Sequence, residues 1–249
     1  PGVDIYFISN QQNIKRKVNV SLRVSGRLPE IYDPLTGETY YAGNWKFKNG
    51  RTELPLQLFP GGSVFIVLSK PAGNKNESEG KNWPEYKIVK SLVGSWQVKF
   101  DKDFGGPADT IIFSQLTDWN KHPDPRIMYY SGTATYSQSF NWSNTYNEQS
   151  HIWLDLGEVN NIAEVKINDV YCGVAWTAPY QVEITSALQQ GENKLVIGVT
   201  NTWANRLIGD HKLPENERVT WTTAPYRLEG KPLLKSGLLG PVTINQEND

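Results

Sequence analysis

The sequence holds one cysteine, Cys172, and one methionine, Met128, in 249 residues. A lone thiol excludes an internal disulfide framework and any thiolate-rich metal site. Three histidines, His122, His151 and His211, stand far apart, so a zinc site would need carboxylates to complete it. An excess of one charge is lacking too, with 25 Lys+Arg against 26 Asp+Glu. Without a wide electrostatic field, nucleic acid and anionic membrane surfaces are set aside as partners. No apolar run approaches the roughly 20 residues that span a bilayer. The first residue is Pro1 rather than Met, and no charged segment leads into an apolar one. The expectation is a piece of a longer, exported protein.

Aromatic residues are abundant instead: nine Trp, twelve Tyr and eight Phe. Aromatics suit pleated surfaces, whereas flexible Met fills irregular helical gaps, so the balance favours sheets. Helical periodicity is scarce, and short alternating stretches bounded by Gly, Pro, Asn or Asp recur throughout. The fold class predicted is all-β, a small β-sandwich domain followed by a jelly-roll β-sandwich.

Over residues 1–70, strands are expected at Asp4–Ser9, Lys15–Val24, Arg51–Leu58 and Ser63–Leu68. Residues 71–87 contain the polar, breaker-rich text PAGNKNESEGKNWP and read as a solvated linker. Residues 88–249 then form the larger domain. Its strands are expected near Ser95–Phe100, Asp109–Phe113, Gly132–Phe140, Ile152–Leu156, Ala163–Asn168, Tyr180–Ile184, Lys194–Thr200 and Gly240–Ile244, a spacing that suits a jelly roll. In Ala163–Ile167 the apolar Ala163, Val165 and Ile167 alternate with Glu164 and Lys166, so the strand has one core face. Asn168–Asp169 should follow as a tight turn, since both residues tolerate positive φ, with Val170–Val174 returning as the partner strand.

Chemistry concentrates after the strand Lys194–Thr200. Asn201 falls in phase with Leu195, Ile197 and Val199, and an amide in phase with a core needs a partner. The text that follows brings Trp203, Asn205, Arg206 and Asp210 together on an expected loop. Two readings stand side by side. One is an Arg206–Asp210 ion pair with Asn side chains capping the loop backbone; the other is a ligand site. Trp176, and Trp221 with Tyr226, lie beside prolines, where an aromatic either plugs the open end of a sandwich or offers a platform for a sugar ring. No nucleophile elbow, Cys/His pair, phosphate-cradling glycine loop or metalloprotease helix motif is present. No residue spacing implies the two facing carboxylates of a glycosidase. No catalytic or metal-ligating residue is assigned.

The segment Glu158–Val199 resembles the sugar-binding jelly roll of glycoside hydrolase family 2 enzymes, which has a galactose-binding-like fold. Its Ala163-Glu-Val165-Lys-Ile167-Asn168-Asp169, Gly173-Val-Ala-Trp176-Thr-Ala-Pro179-Tyr180 and Gly191-Glu192-Asn193-x-Leu195-x-Ile197-x-Val199 carry the likeness, with Asn-Asp where Asn-Gly is usual. Further text resembles the C-terminal region of glycoside hydrolase family 106, the α-L-rhamnosidases: Trp96-x-Val98-x-Phe100-Asp101, Tyr129-Tyr130-Ser131-Gly132, Asn205-Arg206-Leu207-Ile208-Gly209-Asp210 and Ser236-Gly237-Leu238-Leu239-Gly240-Pro241. The opening residues Asp4–Asn10 and Pro29–Gly37 are similar to the β-domain that precedes the jelly roll there.

The resemblance implies that catalysis and a calcium site belong to a (β/α)₈ barrel, which is about 250 residues alone and is not legible here. This chain would then be a non-catalytic accessory region that braces the barrel and contacts carbohydrate. Its partners would be a glycan and the missing catalytic barrel, in the periplasm or at the surface of a bacterium. Candidate contacts with sugar or barrel are Asn201, Trp203, Asn205, Arg206 and Asp210, with Trp176 and Trp221 for stacking. Galactose-binding-like sandwiches often carry structural calcium, but Asp101, Asp103 and Asp109 lack a calcium-loop spacing, so no cofactor is assigned. Three alternatives stay open: a free-standing carbohydrate-binding module, a purely structural interaction domain, and catalysis by this chain alone.

Overall fold

The computed structural model describes residues 2–143 and 150–248. They form two compact units, one ending at Glu85 and the other running from Tyr86 to Asn248.

The first unit contains β1 (Asp4–Ser9), β2 (Arg16–Leu22), β3 (Arg27–Tyr32), β4 (Thr39–Tyr41), β5 (Asn44–Lys48), β6 (Arg51–Leu58), β7 (Ser63–Pro71) and β8 (Glu77–Glu79). Two four-stranded sheets, in the orders β1-β7-β3-β4 and β2-β6-β5-β8, enclose a core that includes Leu22, Ile31, Trp45, Leu54, Ile66 and Leu68. In β6 the pattern is strict: Thr52, Leu54, Leu56 and Leu58 are buried, and their neighbours are partly exposed. The β5–β6 turn is Asn49-Gly50, both at positive φ, which matches the twist of the flanking strands. Strand β3 carries Pro29 where its register with β7 shifts, a place where a strand admits proline.

The expected linker at 71–87 is corrected by the structure. Strand β7 runs to Pro71, and β8 pairs with β5. Asn82 is buried and donates to the carbonyls of Asn44 and Pro55, while its Oδ1 accepts from Asn44 N. A polar strand with little apolar content is tolerated at β8 because it lies at a sheet edge.

The second unit contains β9 (Glu85–Ser91), β10 (Trp96–Lys99), β11 (Ile111–Phe113), α1 (Pro125–Met128), β12 (Thr133–Trp142), β13 (Ile152–Asp155), β14 (Glu158–Asn160) and β15 (Ile162–Ile167). It continues through β16 (Val170–Ala175), β17 (Gln181–Glu183), β18 (Gly191–Thr200), α2 (Ala204–His211), β19 (Gly237–Gly240) and β20 (Thr243–Asn248). A six-stranded sheet, β11-β10-β12-β18-β15-β16, and a four-stranded one, β17-β13-β20-β9, share one core rich in Trp96, Trp119, Tyr130 and Tyr136; β14 and β19 pair apart. The all-β class read from the sequence is what the chain adopts, and the second unit is a two-sheet sandwich around one core.

The β15–β16 turn is Asn168-Asp169, at φ 52° and 63°. Asn168 does more than tolerate that geometry. Its Oδ1 accepts from Lys194 N, and its Nδ2 donates to Ala187 O and to Oδ1 of the buried Asn193.

Candidate functional site

Strand β18 delivers Asn201 to one end of the second unit. As its phase demanded, the amide is saturated: Oδ1 accepts from Gly132 N at 3.0 Å, and Nδ2 donates to Tyr130 O at 2.9 Å and Ser236 Oγ at 3.0 Å.

The residues after it form helix α2 and not the expected loop. Asn205, Arg206, Ile208, Gly209 and Asp210 are its buried positions, spaced three and four apart. Hydrophobic periodicity misplaces the buried face of this helix, because most of its buried positions are polar. Asn205 clasps one backbone unit, donating to Leu234 O and accepting from Leu234 N, both at 2.8 Å, and also donates to Ser236 Oγ. The backbone N–H of Arg206 donates to Ser131 Oγ at 3.1 Å.

The Arg206 and Asp210 side chains are 6% and 4% exposed, with Nε 3.0 Å from Oδ1. That contact is an ion pair without hydrogen-bond alignment, since neither atom has an aligned partner. The second carboxylate oxygen is better served: Asp210 Oδ2 accepts from Thr220 N at 2.8 Å and Thr220 Oγ1 at 2.7 Å. Gly105 and Gly209 leave room for the guanidinium and its neighbours: a Cβ at Gly105 would stand 2.9 Å from Val219 Cγ2 and 3.1 Å from Nη1, and one at Gly209 2.6 Å from Tyr129 Cγ and 3.0 Å from Nη2.

Ser236 links this helix to the core. Its N–H donates to Asp118 Oδ1, and its carbonyl accepts from Trp119 N. Next to it, the Trp119 indole and Leu238 N both donate to the Tyr136 hydroxyl. Burial pushes that phenol far above its ordinary pKa. Asp118, Ser131, Thr220 and Ser236 were not singled out in the sequence. Asp118, Ser131 and Ser236 lie more than 30 residues along the chain from the residues they serve, and Thr220 ten residues from Asp210, so no helical or strand spacing announces them.

The three indoles are placed differently. Trp176 is 59% exposed, Trp203 53% and Trp221 84%. They stand on separate segments, after β16, before α2 and just beyond Thr220, and Trp203 meets Phe104 edge-on with ring centroids 6.0 Å apart. Thus the polar candidates Asn205, Arg206 and Asp210 face inward on partners within the chain, while the aromatic candidates face solvent.

Asp101 caps a short helical turn by accepting from Asp103 N. Among the described residues, no group of three or more His, Cys, Asp or Glu side chains could hold a metal ion. Hydrogen bonds from Lys235 and Arg126 hold the Glu158 and Asp124 carboxyls below their ordinary pKa.

The sequence model described as the glycosyl hydrolase 2 galactose-binding domain-like family matches residues 96–229, more than half of the chain. The chain belongs to this family. A solved rhamnosidase from Novosphingobium sp. PP1Y is similar over 98% of this chain, with 39% identity and a TM-score of 0.84, and the similar part is 23% of that protein. A putative beta-glucuronidase of Formosa agariphila is 36% identical over 178 residues, 62% of this chain and 15% of that protein. The chain therefore spans less than a quarter of the length of either relative.

Proposed function

We propose that this chain is the non-catalytic accessory region of a glycoside hydrolase of the α-L-rhamnosidase type, as in glycoside hydrolase family 106, acting on plant-type polysaccharide outside the cytoplasm. The observation that carries this reading is the likeness to the Novosphingobium rhamnosidase, which takes in nearly the whole chain yet under a quarter of that protein. The polar cluster supports it. Groups that could have bound a substrate are occupied in fastening α2 and the segment after it to the sandwich. The region's partners on this reading are the catalytic barrel and carbohydrate.

A chimera tests the reading. The corresponding region of the Novosphingobium rhamnosidase is replaced by this chain, and the chimera and the isolated chain are assayed on aryl α-L-rhamnoside and aryl β-D-glucuronide. The chimera should hydrolyse the rhamnoside and the isolated chain neither substrate. A folded chimera without rhamnosidase activity, or hydrolysis by the chain alone, would overturn it.

The exposure of Trp176, Trp203 and Trp221 favours a second reading, a free-standing carbohydrate-binding module. Saturable glycan binding by the isolated chain, together with an inactive chimera, would select it.

A further inference from the structure

The outward face of the six-stranded sheet carries a groove of about 300 Å³ over β12, β18, β15 and β16. The ladder aligns its outward residues in rows. Val174, Glu164, Gly198 and Thr135 lie across one row, and Ile162, Thr200 and Thr133 across the next.

Gly198 sits within the ten-residue strand β18, between two paired neighbours. Glycine in a strand interior weakens it, and marks a bulge, a bend or the close approach of a ligand or another backbone. Bulge and bend are absent at this point, because pairing with Thr135 on one side and Glu164 on the other is continuous. Packing does not require glycine either. An added Cβ would meet only Thr133 Cγ2, at an ordinary 3.6 Å, and the backbone is outside the left-handed region. What the missing side chain does is keep the groove floor open.

The lining is mixed. Thr133 and Thr200 hydroxyls bond each other at 2.7 Å, which leaves further donor and acceptor capacity, and Thr135 adds a third hydroxyl. Glu164 and Lys166 pair at 2.9 Å, each about half exposed, and Ile162 and Val174 supply apolar surface. Cores of protein–protein interfaces are depleted in Lys and Glu, which weighs against a docked protein. A pyranose ring presents both hydroxyls and apolar C–H faces, and its needs match this lining. Trp176 directly follows Ala175, the last residue of β16 and the ladder partner of Ala163, and its exposed indole lies just beyond the residues that line the groove.

We propose that this groove is a carbohydrate-binding site that takes a pyranose ring of a neutral glycan, with Gly198 as its floor and Trp176 at its end. The choice of sugar rests on the accessory-region reading above.

The test is calorimetric titration of the full 249-residue chain with L-rhamnose, a rhamnose-containing oligosaccharide and D-glucuronate. Gly198→Val fills the floor, Thr135→Val removes one hydroxyl, and Trp203→Ala removes an exposed indole outside the groove lining. Saturable binding of the neutral sugars, weakened at least about tenfold in Gly198→Val and clearly in Thr135→Val with thermal midpoints kept, is the expected result. Two results overturn the groove: binding that survives both groove variants but is lost in Trp203→Ala, or no binding by the unsubstituted chain up to about 10 mM sugar. Neither touches the accessory-region reading, which fails through an inactive chimera or through hydrolysis by the isolated chain.

Discussion

Asp210 gives one carboxylate oxygen to Arg206 and the other to Thr220, so a single buried anion ties helix α2 to the segment that leaves it. A buried ion pair is weak evidence for net stability, because desolvation of both charges offsets their attraction. Breaking it from one side is another matter. Arg206→Ala should leave Asp210 as an uncompensated buried charge and cost about 3–5 kcal/mol. Replacing both, as Arg206→Met with Asp210→Leu, should recover most of that loss. Urea unfolding of the three proteins checks this, and a double variant no more stable than Arg206→Ala would show that the Thr220 bonds outweigh the ion pair.

Asn205 holds both polar groups of the Leu234 backbone. Asn205→Ala should remove about 2–3 kcal/mol, the sum of several lost hydrogen bonds in a mostly buried setting. Because those bonds fasten the stretch before Ser236, limited proteolysis should cut within 218–235 faster in the variant. Equal cutting rates would mean that the Thr220 anchor alone holds that stretch.

Much of this fold was legible where the pleat and the core share one period. Strands β13 and β15 bury alternate apolar residues and so announce themselves, as does the Asn168-Asp169 turn. Strand β8 was illegible because an edge strand needs backbone partners more than apolar side chains. Helix α2 was illegible for a related reason, its buried face being built of Asn205, Arg206, Gly209 and Asp210. At the site, phase alone exposed Asn201 as an amide in need of partners. Which atoms would serve it, on Tyr130, Gly132 and Ser236, is decided by chain crossings that no local pattern encodes.

Acid should weaken the turn at α1 in a definite direction. Asp124 caps that helix by accepting from Arg126 N, and the Arg126 guanidinium grips the same carboxylate, holding its pKa below the ordinary range. A carboxyl depressed in the folded state contributes stability that is present above its unfolded pKa, near 4, and is lost as pH falls through the folded value. The Arg126 side chain is largely exposed, so solvent screening keeps the effect small. Thermal midpoints of the native chain and Asp124→Asn should differ at pH 7 and converge toward pH 3. A gap that stays constant over that range would assign the effect to the cap's backbone hydrogen bond and not to its charge.

The two residues of the β15–β16 turn should respond oppositely to glycine, although both sit at positive φ. Asp169 is exposed, and a non-glycine residue in the left-handed region costs roughly 1–2 kcal/mol. Asp169→Gly removes that strain and restores the favoured Asn-Gly pair, while the added freedom of the unfolded chain takes back part of the gain. The net result should be a stabilisation of about 0.5–1 kcal/mol. Asn168→Gly relieves the same backbone strain but deletes an amide that serves Lys194 N, Ala187 O and Asn193 Oδ1. Asn193 Oδ1 still accepts from Gln189 N, but the loss of three hydrogen bonds around the fully buried Asn193 makes the substitution destabilising by about 1–3 kcal/mol. Chemical denaturation of both variants checks the pair. Stabilisation by both would mean that backbone strain governs the turn, and destabilisation by both would mean that the Asp169 side chain has a role beyond its φ.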